Sequence, residues 1–229
     1  MNKTVVITGG NGNLGSVVVD YFLMAGYSII SIVSKGKGSG AIHSRLKLIE
    51  ADLSDEKEVI NAFQKIQNSN TQIHAAILLA GGYAGGSIEK TDGDAIQKMI
   101  DLNFYTCYHP ARAAFLQMSA QSAGGRLIFI GARPALVAAY GKGSIAYGLS
   151  KAMVIKLAEY FNAEGQQHNV QTHVIVPSTI DTPANRAAMP QADFNTWVKP
   201  DNIAETILFL CSEASESFRD TVIKMYNRA

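Results

Sequence analysis

Seven short runs rich in Val, Ile and Leu, at residues 4–8, 28–33, 46–50, 73–80, 126–131, 170–176 and 221–226, alternate with stretches of helical spacing. The helical stretches are residues 14–25, 55–67, 94–119, 144–165 and 200–212. Such alternation is the pattern of a parallel sheet built from strand–helix–strand units. The apolar triplets Val5-Val6-Ile7, Ile77-Leu78-Leu79 and Val174-Ile175-Val176 have no polar alternation, as strands covered by helices on both faces require. The expected fold class is therefore α/β: one doubly wound sheet of seven parallel strands.

The chain has 229 residues, no fixed internal repeat and no Pro/Gly/Ser-rich linker between halves, so residues 1–229 are expected to form a single domain. Lys and Arg together number 20 against 19 Asp and Glu, a net charge of +1. That balance argues against a nucleic-acid partner or a polybasic membrane anchor. The apolar uncharged stretch at residues 21–34 is 14 residues long and contains Gly26 and three serines, whereas a membrane-spanning helix needs about 20 mostly apolar residues. The first residues contain no apolar core of signal-peptide length, and a cytoplasmic location is expected. Cys107 and Cys211 fall in helix-like segments without CxxC spacing and read as reduced core thiols.

The first strand runs directly into Gly9-Gly10-Asn11-Gly12-Asn13-Leu14-Gly15 and then into an apolar helix. Glycines at 9, 12 and 15 permit a tight turn, a close backbone approach to a pyrophosphate and close helix–strand packing, while the helix start offers its N–H groups to the phosphates. A second pattern is Tyr147-Gly-Leu-Ser-Lys151, in which a phenol and an ammonium four residues apart share one helix face. A cation beside the phenol is expected to lower its pKa and make it a usable general acid.

Taken in order, the glycine turn, Ala80-Gly81-Gly82 after the fourth strand, Asn103, the Tyr147/Lys151 pair and the segment 177–182 after the sixth strand resemble the short-chain dehydrogenase/reductase family. The resemblance covers nearly the whole chain. The runs 81–86, 146–148, 181–186 and 189–194 look most like the dihydropteridine reductases within it. By this resemblance the sheet order is 3-2-1-4-5-6-7. Tyr147 donates a proton, Lys151 supports it and holds the nicotinamide ribose, and Asn103 anchors a water. Asp52 and Leu53 contact the adenine, Ala80, Gly81 and Gly82 border the dinucleotide, and Pro177, Thr179, Ile180 and Thr182 face the nicotinamide.

One departure is chemically informative. Where the family usually places a serine after the fifth strand, this chain has Ala132, which has no hydroxyl to donate. A ketone needs its oxygen held by two donors, since charge develops there. A conjugated, electron-poor ring such as quinonoid dihydropterin spreads that charge. Ser144, one turn before Tyr147, is an alternative donor, and Arg133 either reaches a substrate edge or faces solvent.

The end of the second strand lacks the acidic residue that binds the ribose of NAD. Ser34, Lys35 and Lys37 stand there instead, either as partners of the 2′-phosphate of NADP, the favoured cofactor, or as solvated loop residues, with NAD the alternative. The five histidines show no metal-ligand spacing, and no metal is expected. The stretch 34–40 reads as a mobile surface loop. The long connection 184–196, with Met189, Phe194 and the following Trp197, reads as a lid over a flat substrate or as a docked apolar patch. The expected function is an NAD(P)H-dependent reductase of a small conjugated acceptor, assembled as a homodimer or homotetramer. The rivals are a carbonyl or 3-oxoacyl reductase and a dinucleotide-sensing regulator.

Overall fold

In a computed structural model that describes residues 3–37, 43–69 and 71–228, the apolar runs form β1 (Thr4–Thr8), β2 (Ser28–Val33), β3 (Leu46–Glu50), β4 (Ile73–Leu78), β5 (Gly125–Ile130), β6 (Val170–Pro177) and β7 (Val222–Met225). They pair in parallel in the order β3-β2-β1-β4-β5-β6-β7, the order expected. The helices are α1 (Asn13–Met24), α2 (Glu56–Asn68), α3 (Gly93–Met99), α4 (Thr106–Ser119), α5 (Arg133–Leu136), α6 (Ile145–Gly165), α7 (Pro183–Ala188) and α8 (Pro200–Leu210).

Each face of the sheet has its own apolar layer. Val18, Val19 and Phe22 of α1 and Ile203, Ala204 and Ile207 of α8 pack over Val5, Ile7, Ile77 and Ile128. On the opposite face, Phe63 and Ile66 of α2, Ala111 and Met118 of α4 and Val154 and Ala158 of α6 cover Val6, Leu78, Leu127 and Val174. Burial of aliphatic side chains at about 25 cal/mol per Å² is what holds these layers together. Cys107 and Cys211 are both buried free thiols, as expected.

Three boundaries differ from the sequence reading. β4 ends at Leu78 rather than residue 80, because beyond it Thr8 takes over: the Ala80 amide donates to the Thr8 hydroxyl at 3.3 Å. The stretch 94–119 is not one helix. It is α3, a π-helical segment at Ile100–Tyr105, and α4, which carries Pro110 and so lacks one amide donor. The π segment falls where the Asn103 side chain is tied to both the amide and the carbonyl of Gly82. Finally, the connection 184–196 contains α7 and a short 3-10 turn at Phe194–Thr196. Of the stretch 34–40, residues 34–37 make a turn closed by the Lys37 amide on the Ser34 carbonyl at 3.1 Å, and residues 38–40 lie outside the described residues.

One of the closest backbone approaches is at the first crossover. A Cβ placed on Gly15 would lie 2.0 Å from the Gly9 carbonyl oxygen, so the first turn of α1 rests directly on the loop leaving β1. Gly15→Ala is therefore expected to destabilise the protein by about 1–3 kcal/mol, as overpacking does. At roughly 2–4 °C per kcal/mol for a chain of this size, thermal unfolding followed by circular dichroism resolves the loss. A melting temperature equal to wild type would mean that the loop can yield.

Candidate active site

The sheet order brings the C-terminal ends of β1, β2 and β4 together, and a cleft of about 890 Å³ opens above them. Gly9, Asn11 and Gly12 of the first turn, Ser34 and Lys35 after β2, Ala51 to Ser54 after β3 and Leu79 to Gly81 after β4 line one side. Asp94, Gln97, Lys98, Asp101, Leu102 and Thr106 form the facing wall. α1 begins at Asn13 with Gly12 as its N-cap and no side-chain cap, so its first amides are left to partners outside the helix. A glycine cradle beside uncapped amides and a long cleft fit the pyrophosphate and adenosine of a dinucleotide.

Most of the residues named for that role therefore meet at this cleft: Gly9, Asn11, Gly12, Ser34, Lys35, Asp52, Leu53, Ala80 and Gly81 line it. Asn13, Leu14 and Gly15 open the adjoining helix, and Gly82 is held by Asn103. Lys37 lies in the turn after β2 but not among the lining residues. Pro177 ends β6; Thr179 accepts the Val198 amide at 2.9 Å, Ile180 pairs with Val198, and the Thr182 hydroxyl caps α7 by accepting from Asn185 at 3.2 Å. The facing wall had no signal in the sequence, because it depends on where α3 packs.

Asn103 and Lys151 gather beside Gly81, and Tyr147 lies one turn before Lys151 on α6. Asn103 donates to the Gly82 carbonyl and to Ser150 Oγ, both at 3.1 Å, and accepts the Gly82 amide at 3.0 Å. Its amide hydrogens are thus both used within the protein. Lys151 is 7% exposed and its Nζ donates to the Ile130 carbonyl at 2.9 Å. A Cβ on Gly81 would stand 2.6 Å from Asn103 Oδ1 and 3.5 Å from Lys151 Nζ, so glycine is the residue that lets Asn103 and Lys151 approach this loop. The loop carrying Gly81 to Gly86 is clipped to the start of α6 by the Gly86 amide on the Gly143 carbonyl at 2.6 Å.

The electrostatics correct one expectation. Burial pushes the Tyr147 phenol up to about 12, with the neighbouring Tyr83 adding to the shift, rather than the lysine drawing it down. Burial also lowers the Lys151 ammonium to about 8. Loss of solvent outweighs the attraction of a cation whose proton is already directed at Ile130. The phenol is consequently held protonated at neutral pH.

Tyr83, unassigned from sequence, sits with its ring 5.0 Å from that of Tyr147 at 72°, and is 68% exposed. An aromatic residue inside a run of glycines was the available signal. Ala132 is buried at the end of β5, with no hydroxyl facing the phenol. Ser144 is buried and its Oγ donates to the Gly141 carbonyl at 3.4 Å. Arg133 lies over the ring of Tyr140 at 3.4 Å and that of Tyr226 at 4.7 Å. Trp197 is buried against Phe194, ring centroids 4.8 Å apart, which makes this pair a docked patch, while Met189 stays exposed.

Comparison with known proteins agrees with this geometry. The family model described as short chain dehydrogenase matches residues 3–193. A dihydropteridine reductase of Dictyostelium discoideum is 30% identical over 95% of this chain and 90% of its own length. A 3-oxoacyl-[acyl-carrier-protein] reductase of Mycobacterium bovis is 26% identical over 97% of this chain and 91% of its own. The solved structure described as ElxO with NADP bound superposes with a TM-score of 0.89 at 21% identity, over 98% of this chain and 97% of that one. With the family model matching most of the chain and a relative 30% identical over nearly all of it, the chain belongs to the short-chain dehydrogenase/reductase family of oxidoreductases.

Proposed function

We propose that this chain is an NAD(P)H-dependent reductase of a conjugated ring acceptor, quinonoid dihydropterin being the first candidate, and that residues 1–229 act as one nucleotide-binding domain. What carries this reading is a buried Ala132, without a hydroxyl, where a ketone-reducing site of this family needs a second donor, on a chain whose α6 carries Tyr147 one turn before a buried Lys151. The 30% identity to a protein named dihydropteridine reductase supports the choice of acceptor.

A bound reduced nicotinamide would supply a hydride. The chain supplies the rest. Gly9, Asn11, Gly12, Asn13, Leu14 and Gly15 cradle the pyrophosphate. Asp52 and Leu53 border the adenine, and Ala80, Gly81 and Gly82 the adjoining ribose. Ser34, Lys35 and Lys37 stand at the 2′ position, where lysines favour NADP over NAD. Pro177, Thr179, Ile180 and Thr182 hold the carboxamide end. Tyr147 releases its phenolic proton to the ring nitrogen that gains negative charge, and Lys151 stabilises the phenolate left behind. Asn103, with its side chain committed to Gly82 and Ser150, acts by positioning the loop after β4. Tyr83 offers an exposed aromatic face against which a flat substrate can lie.

The proposed assembly is a homodimer or homotetramer. Leu116 on α4 and Leu149 and Tyr160 on α6 are apolar groups at least half exposed, at 55%, 51% and 66%. A cytoplasmic setting suits the two buried free thiols.

Oxidation of NADPH or NADH, followed by loss of absorbance with quinonoid dihydropterin as acceptor, is the direct test. Tyr147→Phe is expected to lower kcat by about 10²-fold or more, in the range of general acid catalysis, with cofactor affinity little changed. Turnover of a simple β-keto ester with none of the dihydropterin would overturn the choice of acceptor, and an unchanged kcat in Tyr147→Phe would overturn the proton donor.

Lys151 gives a pH dependence of stability. Its ammonium titrates at about 8 folded, against an ordinary value of 10.5, so above pH 8 the unfolded chain holds more protons and stability rises with pH. Relative to Lys151→Met, the ligand-free wild type is expected to gain about 1 kcal/mol between pH 8 and 9 in urea unfolding. Beyond the ordinary thiol value of 9.0, Cys107 and Cys211, pushed up to about 12 by burial, pull in the opposite direction. Parallel pH profiles for the two proteins would show that Lys151 does not carry a shifted pKa.

A further inference from the structure

Lys35, which lines the cleft just after β2 and which the cofactor reading sets at the 2′ position of the ribose, already has an anion. Its Nζ donates to Glu58 Oε1 at 2.6 Å. Glu58 is held from its other oxygen as well, since the Asp52 amide donates to Oε2 at 2.9 Å. The helix that carries it is fixed at its first turn by Asp55, whose carboxylate accepts from the amides of Lys57 at 2.8 Å and Glu58 at 3.3 Å. The lysine side chain, which lines the cleft, is 65% exposed and the glutamate behind it 28%, so the cation is the outer member of the pair. Asp52 lines the same wall. The hydrogen bonds to Lys35 and the Asp52 amide keep the Glu58 carboxyl below its ordinary range, and the bond to Glu58 raises Lys35, so both stay charged at neutral pH.

A 2′-phosphate carries close to two negative charges and three acceptor oxygens. To bond Lys35 it must share the ammonium with a carboxylate fixed against it, and at separations of a few ångströms the two anions repel. A 2′-hydroxyl has no such charge and can donate to a carboxylate. The neighbourhood therefore opposes the selectivity that its lysine alone would give.

Resting on the cofactor reading above, we propose that Glu58 is a specificity-determining residue: a fixed counter-carboxylate that neutralises Lys35 and holds down the preference for the 2′-phosphorylated dinucleotide, so that this protein accepts both NADPH and NADH. Nothing in the sequence marked Glu58, which follows β3 and lies 23 positions from the lysine it meets.

Fluorescence titration of the full chain with NADPH and with NADH tests this. Glu58→Gln removes the charge and keeps an oxygen for the Asp52 amide. The ratio of the NADH Kd to the NADPH Kd is expected to rise about tenfold, one charge–charge contact at a partly exposed site. Lys35→Met is expected to lower the NADPH affinity about twofold in the wild type and about tenfold in Glu58→Gln, because the lysine is neutralised only in the former. Competition by 2′,5′-ADP against 5′-AMP should report the same change without the nicotinamide half. An unchanged Kd ratio in Glu58→Gln, or equal effects of Lys35→Met in both backgrounds, would overturn the role of Glu58 alone. Failure of the wild type to bind either dinucleotide would overturn the cofactor reading itself.

Discussion

The fold of this protein hangs on a backbone-to-backbone contact that only hydrogen-sized side chains permit. With Gly15 resting on the Gly9 carbonyl, α1 starts close against β1 and its uncapped amides come to the edge of the cleft. The same device recurs across the sheet at Gly81, where the absence of a Cβ lets Asn103 and Lys151 approach the loop that follows β4. Both contacts lie where neighbouring parallel strands end, which is where an open α/β sheet presents a crevice. The site thus follows from the sheet order as much as from any single side chain.

Burial dominates the electrostatics around Tyr147 and Lys151, and pairing dominates at Lys35. Around Tyr147 and Lys151 the loss of solvent outweighs the attraction between neighbours: it keeps the phenol protonated and weakens the hold of the amine on its proton. At the mouth, Lys35 and Glu58 remain hydrated enough to stay ionised and are governed by each other. The proposed proton-transfer group and the proposed charge-reading group are thereby kept on separate principles.

Particular residues mark how far the amino-acid order was readable. The strands were legible because runs such as Val174-Ile175-Val176 are apolar without alternation, and their parallel order followed from the intervening helices. The glycine turn and the Tyr147–Lys151 spacing were legible because both are local. The break at Ile100–Tyr105 was not, since it coincides with bonds between Asn103 and Gly82, 21 positions away. Nor was the raised pKa of Tyr147, which reflects how much protein surrounds the ring rather than what stands four residues along the helix. Lys35 read alone suggested an open cation, and its partner emerged only when α2 packed behind β3.

The sequence by itself determined the class of fold, the glycine turn after β1 and the tyrosine–lysine helix, because hydrophobic periodicity, glycine and helical spacing act over a few residues. Tertiary structure alone decided which carboxylate meets Lys35, which ring meets Tyr147 and which helix closes the far wall of the cleft. Those contacts join segments distant along the chain, and their distances are fixed by the packing of whole helices on the sheet.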